Sequence, residues 1–258
     1  MGEFEISLII PAYNEERRIK NSLTTMQAFM AQQPYSAEVI LVNDGSVDNT
    51  GAVIAQLIEG RENFRLLESS PNRGKGYAVR QGILAAKGKV VGFLDADLST
   101  PISEINSVLN WLETHPEYDG VIGSRGLPES HIEVSQPLPR QIAAKLFKLM
   151  VRVCYGLWEY HDTQCGFKFF RGEVAREIFS RQKVDGFPFD IELLCLAKKM
   201  GYRLYEMPIT WANDPDSRLH LARDAGKIVR DLIRIQFNRL RGLKETPLEK
   251  RTEIPKAR

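Results

Sequence analysis

Two aspartates, Asp95 and Asp97, stand two positions apart directly after the apolar run of residues 90–94. Hard carboxylate oxygens spaced in this way can hold Mg²⁺ or Mn²⁺, which keeps several waters and takes further ligands from phosphate groups. A cation at this point would neutralise a departing diphosphate. The same residues could instead form an acidic turn that caps the next helix. Their position after a strand favours the metal site.

Two more polar segments also follow an apolar run and precede a helical one. Asp44, in Asn-Asp-Gly-Ser at 43–46, could accept a hydrogen bond from a base N–H, although this sequence also fits an ordinary turn. Residues 72–76, Asn-Arg-Gly-Lys-Gly, would let the backbone and Lys75 approach a phosphate, although such a loop can also be a plain entry to a helix. The segment is not a P-loop, and no G-x-G-x-x-G follows the first strand. Its absence argues against a dinucleotide-dependent dehydrogenase.

An alternation of short apolar runs and helical patterns predicts the elements that position these segments. β-Branched runs that end in polar, Gly or Pro residues are typical of buried parallel strands, and they occupy residues 6–11, 38–43, 64–67, 90–94 and 119–123. Helical periodicity is found at residues 17–30, 50–58, 76–86 and 104–112. We therefore predict an α/β fold with a mostly parallel, doubly wound sheet that binds ligands beyond the carboxyl ends of its strands.

The second half of the chain has a different pattern. It predicts a long helix at 138–158, a possible strand at 163–171, two helical stretches, a strand at 203–208 and a last helix from about residue 219. No linker divides the sequence, so we predict a single domain over residues 1–243 that includes C-terminal amphipathic helices. The charged tail, residues 244–258, lacks periodicity and is predicted to be disordered.

Composition limits the class of protein. Thirty-five Lys and Arg nearly balance thirty-three Asp and Glu, and the net charge of +2 predicts no nucleic-acid partner. The three cysteines form no C-x-x-C pair, which favours a reducing compartment. No run approaches the roughly twenty apolar residues of a spanning helix, and no apolar signal segment follows Met1. We therefore expect a cytoplasmic protein without a transmembrane segment.

Six motifs follow one another along the chain, at 10–15 (Ile-Pro-Ala-Tyr-Asn-Glu), 43–46, 72–76, 95–97, 123–125 (Gly-Ser-Arg) and 162–168 (Asp-Thr-Gln-Cys-Gly-Phe-Lys). In this order they resemble family 2 glycosyltransferases of the polyprenyl-phosphate sugar synthase group, over about residues 5–240. Residues 97–101, 136–137 with Arg140, and 187–192 look most like the dolichyl-phosphate β-glucosyltransferase branch. Mannose synthases commonly have a glutamine where Asp190 stands. The resemblance implies a GT-A (Rossmann-like) nucleotide-diphospho-sugar transferase fold.

The resemblance also implies a binding site for a nucleotide sugar. The residues that would hold the nucleoside are Pro11, Tyr13, Glu15 and Asp44. Lys75 and Asp95 would reach the ribose or the diphosphate. Asp97, together with Asp95, would hold the metal, expected to be Mg²⁺ or Mn²⁺. Ser99 stands where some relatives have a glutamine metal ligand, so the third protein ligand remains open.

For the acceptor, the resemblance implies a lipid phosphate. Arg125 and Arg140 match arginines that bind this phosphate, whereas Ala144 stands where a serine assists them in relatives. Three further residues would orient sugar hydroxyls or the acceptor, namely Asp162, Gln164 and Asp190. Asp190 could alternatively be a general base, and Arg218 could fold over the diphosphate or simply start a helix.

Two basic segments have an apolar face and could contact a membrane. The apolar positions are Ile142, Leu146, Leu149, Met150 and Val153 in the first segment, and Ile228, Leu232, Ile235 and Leu240 in the second. Basic amphipathic helices can lie in an anionic membrane surface, but the same pattern also fits a helix packed on its own core. A lipid acceptor favours peripheral contact at the cytoplasmic face.

The function that the resemblance implies is metal-dependent, inverting transfer of a hexose to a polyprenyl or dolichyl phosphate, with UDP-glucose as the favoured donor. A phosphate monoester has a second pKa of about 6, so it is mostly dianionic at neutral pH and can attack without a base. One alternative is a GDP-mannose-dependent synthase. Two others are a transferase to a glycan hydroxyl, which would need Asp190 as base, and a non-catalytic nucleotide-sugar binding module.

Overall fold

A seven-stranded sheet forms the centre of a computed structural model that describes residues 3–134, 138–213 and 221–242. The strand order is β3-β2-β1-β4-β7-β5-β8, and β6 and β9 form a separate two-stranded sheet. The strands are β1 (Phe4–Ala12), β2 (Ala37–Asp44), β3 (Phe64–Ser69), β4 (Gly88–Leu94), β5 (Gly120–Ser124), β6 (His131–Val134), β7 (Phe167–Arg171), β8 (Leu204–Pro208) and β9 (Thr210–Ala212).

Helices connect the strands and cover the sheet. They are α1 (Ile19–Met30), α2 (Thr50–Ile58), α3 (Lys75–Ala85), α4 (Glu104–Thr114), α5 (Leu138–Tyr155), α6 (Gly172–Arg181), α7 (Phe189–Lys199) and α8 (Leu221–Gly242). No helix in the described ranges has both the length and the apolar character of a membrane span. The predicted tail at 244–258 lies outside these ranges.

The central strands are buried on both faces, as the apolar runs predicted. All eight residues of β2 are buried. One face of the sheet packs against α3, α6 and α7 together with Val151 of α5 and Ile235 of α8. The other face packs against α1, α2 and α4. Burying a large apolar side chain stabilises a fold by roughly 1.5–3 kcal/mol, so these two layers hold the sheet in place.

β7 is antiparallel to both of its neighbours, β4 and β5. Its first residue, Phe167, therefore pairs with Leu94, the last residue of β4. This register brings the segment before β7 to the edge where β1, β2, β4 and β5 end. Residues 163–166, predicted as the beginning of a possible strand, instead form a loop in which the Gln164 amide donates to Asp162 Oδ1.

The observed ends of the predicted elements differ by a few residues. The helix predicted at 138–158 ends at Tyr155, because Gly156 has a positive φ of 68° and closes the last turn by donating to the Arg152 carbonyl. The short β6–β9 pair was not predicted, since its strands have four and three residues and no clear alternation. The predicted mostly parallel α/β sheet is otherwise confirmed.

Candidate active site

Asp95 and Asp97 lie in a tight turn that follows β4. The Leu98 amide donates to the Asp95 carbonyl, and Leu98 has a φ of 53°, a left-handed conformation that is costly for a residue with a Cβ. The Ser99 amide donates to Asp97 Oδ1 at 2.9 Å. The backbone of the turn thus fixes the Cα positions of Asp95 and Asp97. Strain of this kind concentrates at functional sites.

Lys75, the first residue of α3, reaches this turn from the basic loop at 72–76. Its Nζ lies 2.5 Å from Asp95 Oδ1. Burial acts to lower the pKa of Lys75, but Asp95 and then Asp190 outweigh it, and the net shift is upward. Burial raises the pKa of Asp97, and the neighbouring charge of Asp95 raises it further. The turn therefore combines two mutually repelling carboxylates with one ammonium group. A bound cation or diphosphate would strongly change the electrostatic balance among these three groups.

The loop before β7 also contacts the turn that carries Asp95. Gly166 passes so near Asp95 that a Cβ at this position would collide with the Asp95 carboxylate. Only a glycine allows this approach of backbone to carboxylate. The motif at 162–168 and the motif at 95–97, far apart in the sequence, thus share one site.

Asp44 is buried at the end of β2, and its carboxylate holds the basic loop. It accepts hydrogen bonds from Ser69 Oγ (3.0 Å), Asn72 Nδ2 (2.9 Å), the Arg73 amide (3.1 Å) and the Gly74 amide (2.6 Å). These four bonds occupy both carboxylate oxygens. Asp44 therefore positions the loop that carries Lys75. Its predicted contact with a nucleoside base stays a prediction.

The loop after β1 is hydrogen-bonded to the loop after β2. The Asn14 amide donates to Ser46 Oγ, and Asn14 Oδ1 accepts from the Val47 amide, each at 2.9 Å. Glu15 is buried and holds Arg18 through two bonds of 2.7 Å. Pro11 is the penultimate residue of β1, and Tyr13, beyond its end, has 38% of its surface exposed. The predicted nucleoside residues thus lie on two linked loops at one sheet edge.

Arg125, which follows β5, forms a bidentate pair with Asp162. Its Nε and Nη2 donate to Asp162 Oδ2 and Oδ1 at 2.6 and 3.0 Å, and its amide donates at 3.1 Å. Burial alone would raise the pKa of Asp162, but Arg125 holds it well below its usual range. A guanidinium group has five N–H donors, of which this pair uses two. Arg125 thus retains donors that could serve a phosphate.

Glu206 of β8 supports this pair, and the sequence offered no sign of it. Its carboxylate accepts from the Asp162 amide at 2.7 Å and from the His161 amide at 2.8 Å. His161 Nδ1 lies 3.0 Å from the second oxygen. Nearby, Gln164 Oε1 is buried and has no donor among the residues that the structure describes. A hydroxyl group of a substrate would satisfy this acceptor.

Asp190, in the first turn of α7, pairs with the buried Lys168 of β7. The distance from Lys168 Nζ to Asp190 Oδ1 is 2.5 Å. In the sequence, Lys168 was noted only as the last residue of a motif. Its position between phenylalanines at 167 and 169 could have indicated a buried lysine, which needs a charged partner.

Some predicted residues lie wholly or partly outside the described part of the chain. The backbone of Arg140 belongs to the first turn of α5, but its side chain is outside it, as are Arg218 and residues 136–137. Ala144 is exposed on α5, and Ser99 is half-buried. In the described ranges, no three His, Cys, Asp or Glu side chains cluster as a metal site.

α5 and α8 leave large apolar side chains exposed. On α5 these are Leu138, Ile142, Leu146, Leu149 and Val153, each more than half exposed. On α8 the face predicted to be apolar packs on the core through Leu232 and Ile235, while a different row is exposed, Val229, Ile233 and Phe237. Met150 also packs on the core. Both interpretations of the amphipathic pattern therefore apply, on different faces of the same helices.

Comparison with known proteins agrees with this geometry. The sequence model of the family described as Glycosyl transferase family 2 matches residues 7–179. The dolichyl-phosphate β-glucosyltransferase of Dictyostelium discoideum is 34% identical over 248 residues, which cover 92% of this chain and 76% of that protein. The Drosophila melanogaster protein of the same name is 37% identical over 226 residues, 83% of this chain and 69% of that protein.

Among solved structures, glucosyl-3-phosphoglycerate synthase from Mycobacterium tuberculosis, in complex with Mn²⁺, UDP and glucosyl-3-phosphoglycerate, has a TM-score of 0.65. The match covers 92% of this chain and 80% of that one at 18% identity. At this identity the similarity concerns the fold, and it confirms the predicted GT-A arrangement. The family match, the two relatives and the six ordered motifs agree: the chain belongs to glycosyl transferase family 2.

Proposed function

We propose that the chain transfers glucose from UDP-glucose to the phosphate of a dolichyl or polyprenyl phosphate, with inversion at the anomeric carbon. Both relatives named above are called dolichyl-phosphate β-glucosyltransferase, which supports glucose as the sugar and dolichyl phosphate as the acceptor. One observation in the structure carries the proposal. The Lys75–Asp95 pair, beside Asp97, and the Arg125–Asp162 pair belong to one sheet edge and are linked by the loop that contains Gly166. A diphosphate and a phosphate monoester would each meet a cation there.

In this reaction an oxygen of the acceptor phosphate forms a bond to the anomeric carbon. The bond from that carbon to the β-phosphate oxygen of the donor breaks, and UDP leaves. The attacking phosphate is already mostly ionised, so no side chain has to remove a proton. Lys75 would neutralise charge on the departing diphosphate, and Arg125 would hold the acceptor phosphate with the donors that Asp162 leaves available. Asp162, held in turn by Glu206, keeps Arg125 oriented.

The two carboxylates of the turn fit a divalent cation. Burial and the charge of Asp95 raise the pKa of Asp97, and a cation between the carboxylates would relieve this repulsion. Mg²⁺ and Mn²⁺ commonly use one or two carboxylates together with water and substrate phosphates. Asp97 and Asp95 would hold the ion, which would stabilise the leaving diphosphate. The complex of the M. tuberculosis enzyme with Mn²⁺ and UDP supports this part of the proposal.

The exposed rows on α5 and α8 support contact with a membrane, where a polyprenyl chain would reside. Each row lies beside basic residues of its own helix, Lys145, Lys148 and Arg152 on α5 and Lys227, Arg230 and Arg234 on α8. Large apolar side chains grouped on a surface mark interaction sites. Cations near an anionic leaflet contribute about 1 kcal/mol each. We place this contact at the cytoplasmic face of a membrane.

A donor and acceptor panel tests the proposed reaction. Purified protein with Mn²⁺ is mixed with dolichyl phosphate and labelled UDP-glucose, UDP-galactose or GDP-mannose, and the labelled lipid is extracted and counted. We expect UDP-glucose to give the lipid product, and UDP to raise Tm more than GDP does. Product from GDP-mannose alone would establish the mannose synthase instead. Binding of UDP without transfer to any lipid phosphate or glycan would indicate a non-catalytic module.

A further inference from the structure

The Lys168–Asp190 pair lies inside the protein at the inner side of the candidate site. The two side chains are 0% and 2% exposed, and Lys168 Nζ lies 2.5 Å from Asp190 Oδ1. Nζ also donates to the Cys165 carbonyl at 2.6 Å and lies 5.7 Å from the centre of the Phe93 ring. Replacing such a pair by apolar residues of similar size is often neutral or stabilising for a fold. Stability alone therefore gives no reason for this pair to be here.

The surroundings of Asp190 connect the pair to the site. Lys75 and Asp190 lie in the first turns of α3 and α7, and these turns are in contact: a Cβ at Gly76 would lie 2.6 Å from the Cβ of the residue before Asp190. The charged groups that act on the Asp190 carboxylate are Lys168 from β7, Lys75 from α3 and Asp95 from the turn after β4. Lys75 in turn contacts Asp95. The charges therefore alternate from the core outward, in the order Lys168, Asp190, Lys75 and Asp95. Asp190 thus has two ammonium groups near it: Lys168 is fully buried, whereas Lys75 is partly exposed and contacts Asp95.

We propose that Lys168 is a positioning residue for donor binding: its pair with Asp190 prevents that carboxylate from drawing Lys75 away from Asp95 and the diphosphate. This inference rests on the proposed function, because it names what sets Lys75 in place. Without Lys168, the buried carboxylate would have a single cation within reach. Lys75 would turn inward to it, and the donor would lose its cation.

Four proteins test this inference: wild type, Lys168→Met, Asp190→Asn and the double variant. Binding of UDP and of GDP in the presence of Mn²⁺ is measured by calorimetry, and kcat and KM are measured for donor and acceptor separately. We expect Lys168→Met to weaken binding of the diphosphate and raise the donor KM by about 10–100-fold, the range seen when residues that orient metal ligands are replaced. The acceptor KM should stay within about twofold, which a general loss of structure would not allow.

The double variant separates positioning from a structural role. If Lys168 acts through Asp190, removing its charge partner leaves no buried anion to attract Lys75. The diphosphate should then bind the double variant within about threefold of Asp190→Asn, and not with the further loss seen for Lys168→Met alone. This comparison also holds if Lys168→Met fails to fold. If Asp190→Asn fails to fold as well, because it leaves Lys168 buried without its carboxylate, wild type replaces it as the reference, since the double variant contains no unpaired buried charge. Lys198→Met, on the exposed part of α7, is the matched control, and it should bind like wild type.

Three outcomes would overturn the inference. The first is a folded Lys168→Met that has a lower Tm but binds the diphosphate with unchanged affinity. The second is a double variant that binds at least tenfold more weakly than Asp190→Asn. The third is a rise of the donor KM and the acceptor KM together. A wild type that binds GDP and not UDP contradicts the proposed donor, while the ratios between variants, measured with GDP, still decide the role of Lys168. A wild type that binds neither nucleotide overturns both.

Discussion

The Arg125–Asp162 pair gives the sharpest quantitative prediction, through the substitution Asp162→Asn. The amide keeps the size of the side chain but removes the charge and replaces one acceptor oxygen by a donor. The pair has two side-chain bonds of 2.6 and 3.0 Å, and its side chains are 27% and 10% exposed. Exposed pairs contribute up to about 1 kcal/mol, and breaking a buried one costs about 3–5 kcal/mol. For this intermediate exposure we expect a loss of roughly 2–3 kcal/mol.

Thermal unfolding measures this loss. For a chain of this size, about 2–4 °C of Tm corresponds to each kcal/mol, so Asp162→Asn should lower Tm by roughly 4–12 °C. The matched control is Glu159→Gln, which breaks an exposed pair with Lys198 and should change Tm by no more than about 2 °C. The variant should also raise the KM for the acceptor, because Arg125 loses its orientation. A variant as stable as the control would refute the assigned role of the pair.

The pH dependence of the stability difference between wild type and Asp162→Asn provides an independent check. Arg125 lowers the pKa of Asp162 in the folded state below the ordinary value of 3.8. A depressed carboxyl pKa stabilises the fold above the unfolded pKa, and this contribution disappears as the pH falls through the folded pKa. The stability difference between wild type and Asp162→Asn should therefore be constant above about pH 5 and shrink below about pH 4. A difference that stayed constant down to about pH 3 would contradict the ion pair.

Three further predictions concern single features of the site and surface. Gly166→Ala should push the Asp95 carboxylate aside and lower kcat/KM for the donor by about tenfold or more, whereas Gly226→Ala, where nothing lies within 4 Å, should leave kcat/KM unchanged. Asp44→Asn should weaken UDP binding and lower the unfolding free energy by about 1–3 kcal/mol, because the Arg73 and Gly74 amides lose a charged acceptor; chemical denaturation and calorimetry measure both. Leu146→Glu with Ile233→Glu should abolish flotation with anionic liposomes while UDP affinity stays normal, and equal flotation of wild type and variant would contradict the membrane contact.

The parallel sheet and the edge at which its motif-bearing loops lie could be predicted from the sequence, because both depend on local patterns. Apolar runs of strand length, separated by helical periodicity, determine a parallel sheet in which every strand-end loop faces the same edge. This pattern predicts that Asp44, Asp95 and Arg125 lie at the same edge of the sheet. The motif order then indicated the family, and the family match at residues 7–179 agrees with it.

Tertiary structure decided what each of these residues contacts. β7 lies between β4 and β5 and is antiparallel to both. No local sequence pattern predicts the direction of such a short strand. Because of this direction, Gly166 meets Asp95 and Lys168 lies buried against Asp190. Likewise, only the folded chain shows that Asp44 holds the basic loop and that α8 buries Ile235 while exposing Ile233. Periodicity is local, so the sequence pattern predicts which loops lie at one edge of the sheet. Pairing between distant charges depends on long-range packing, which that pattern does not contain.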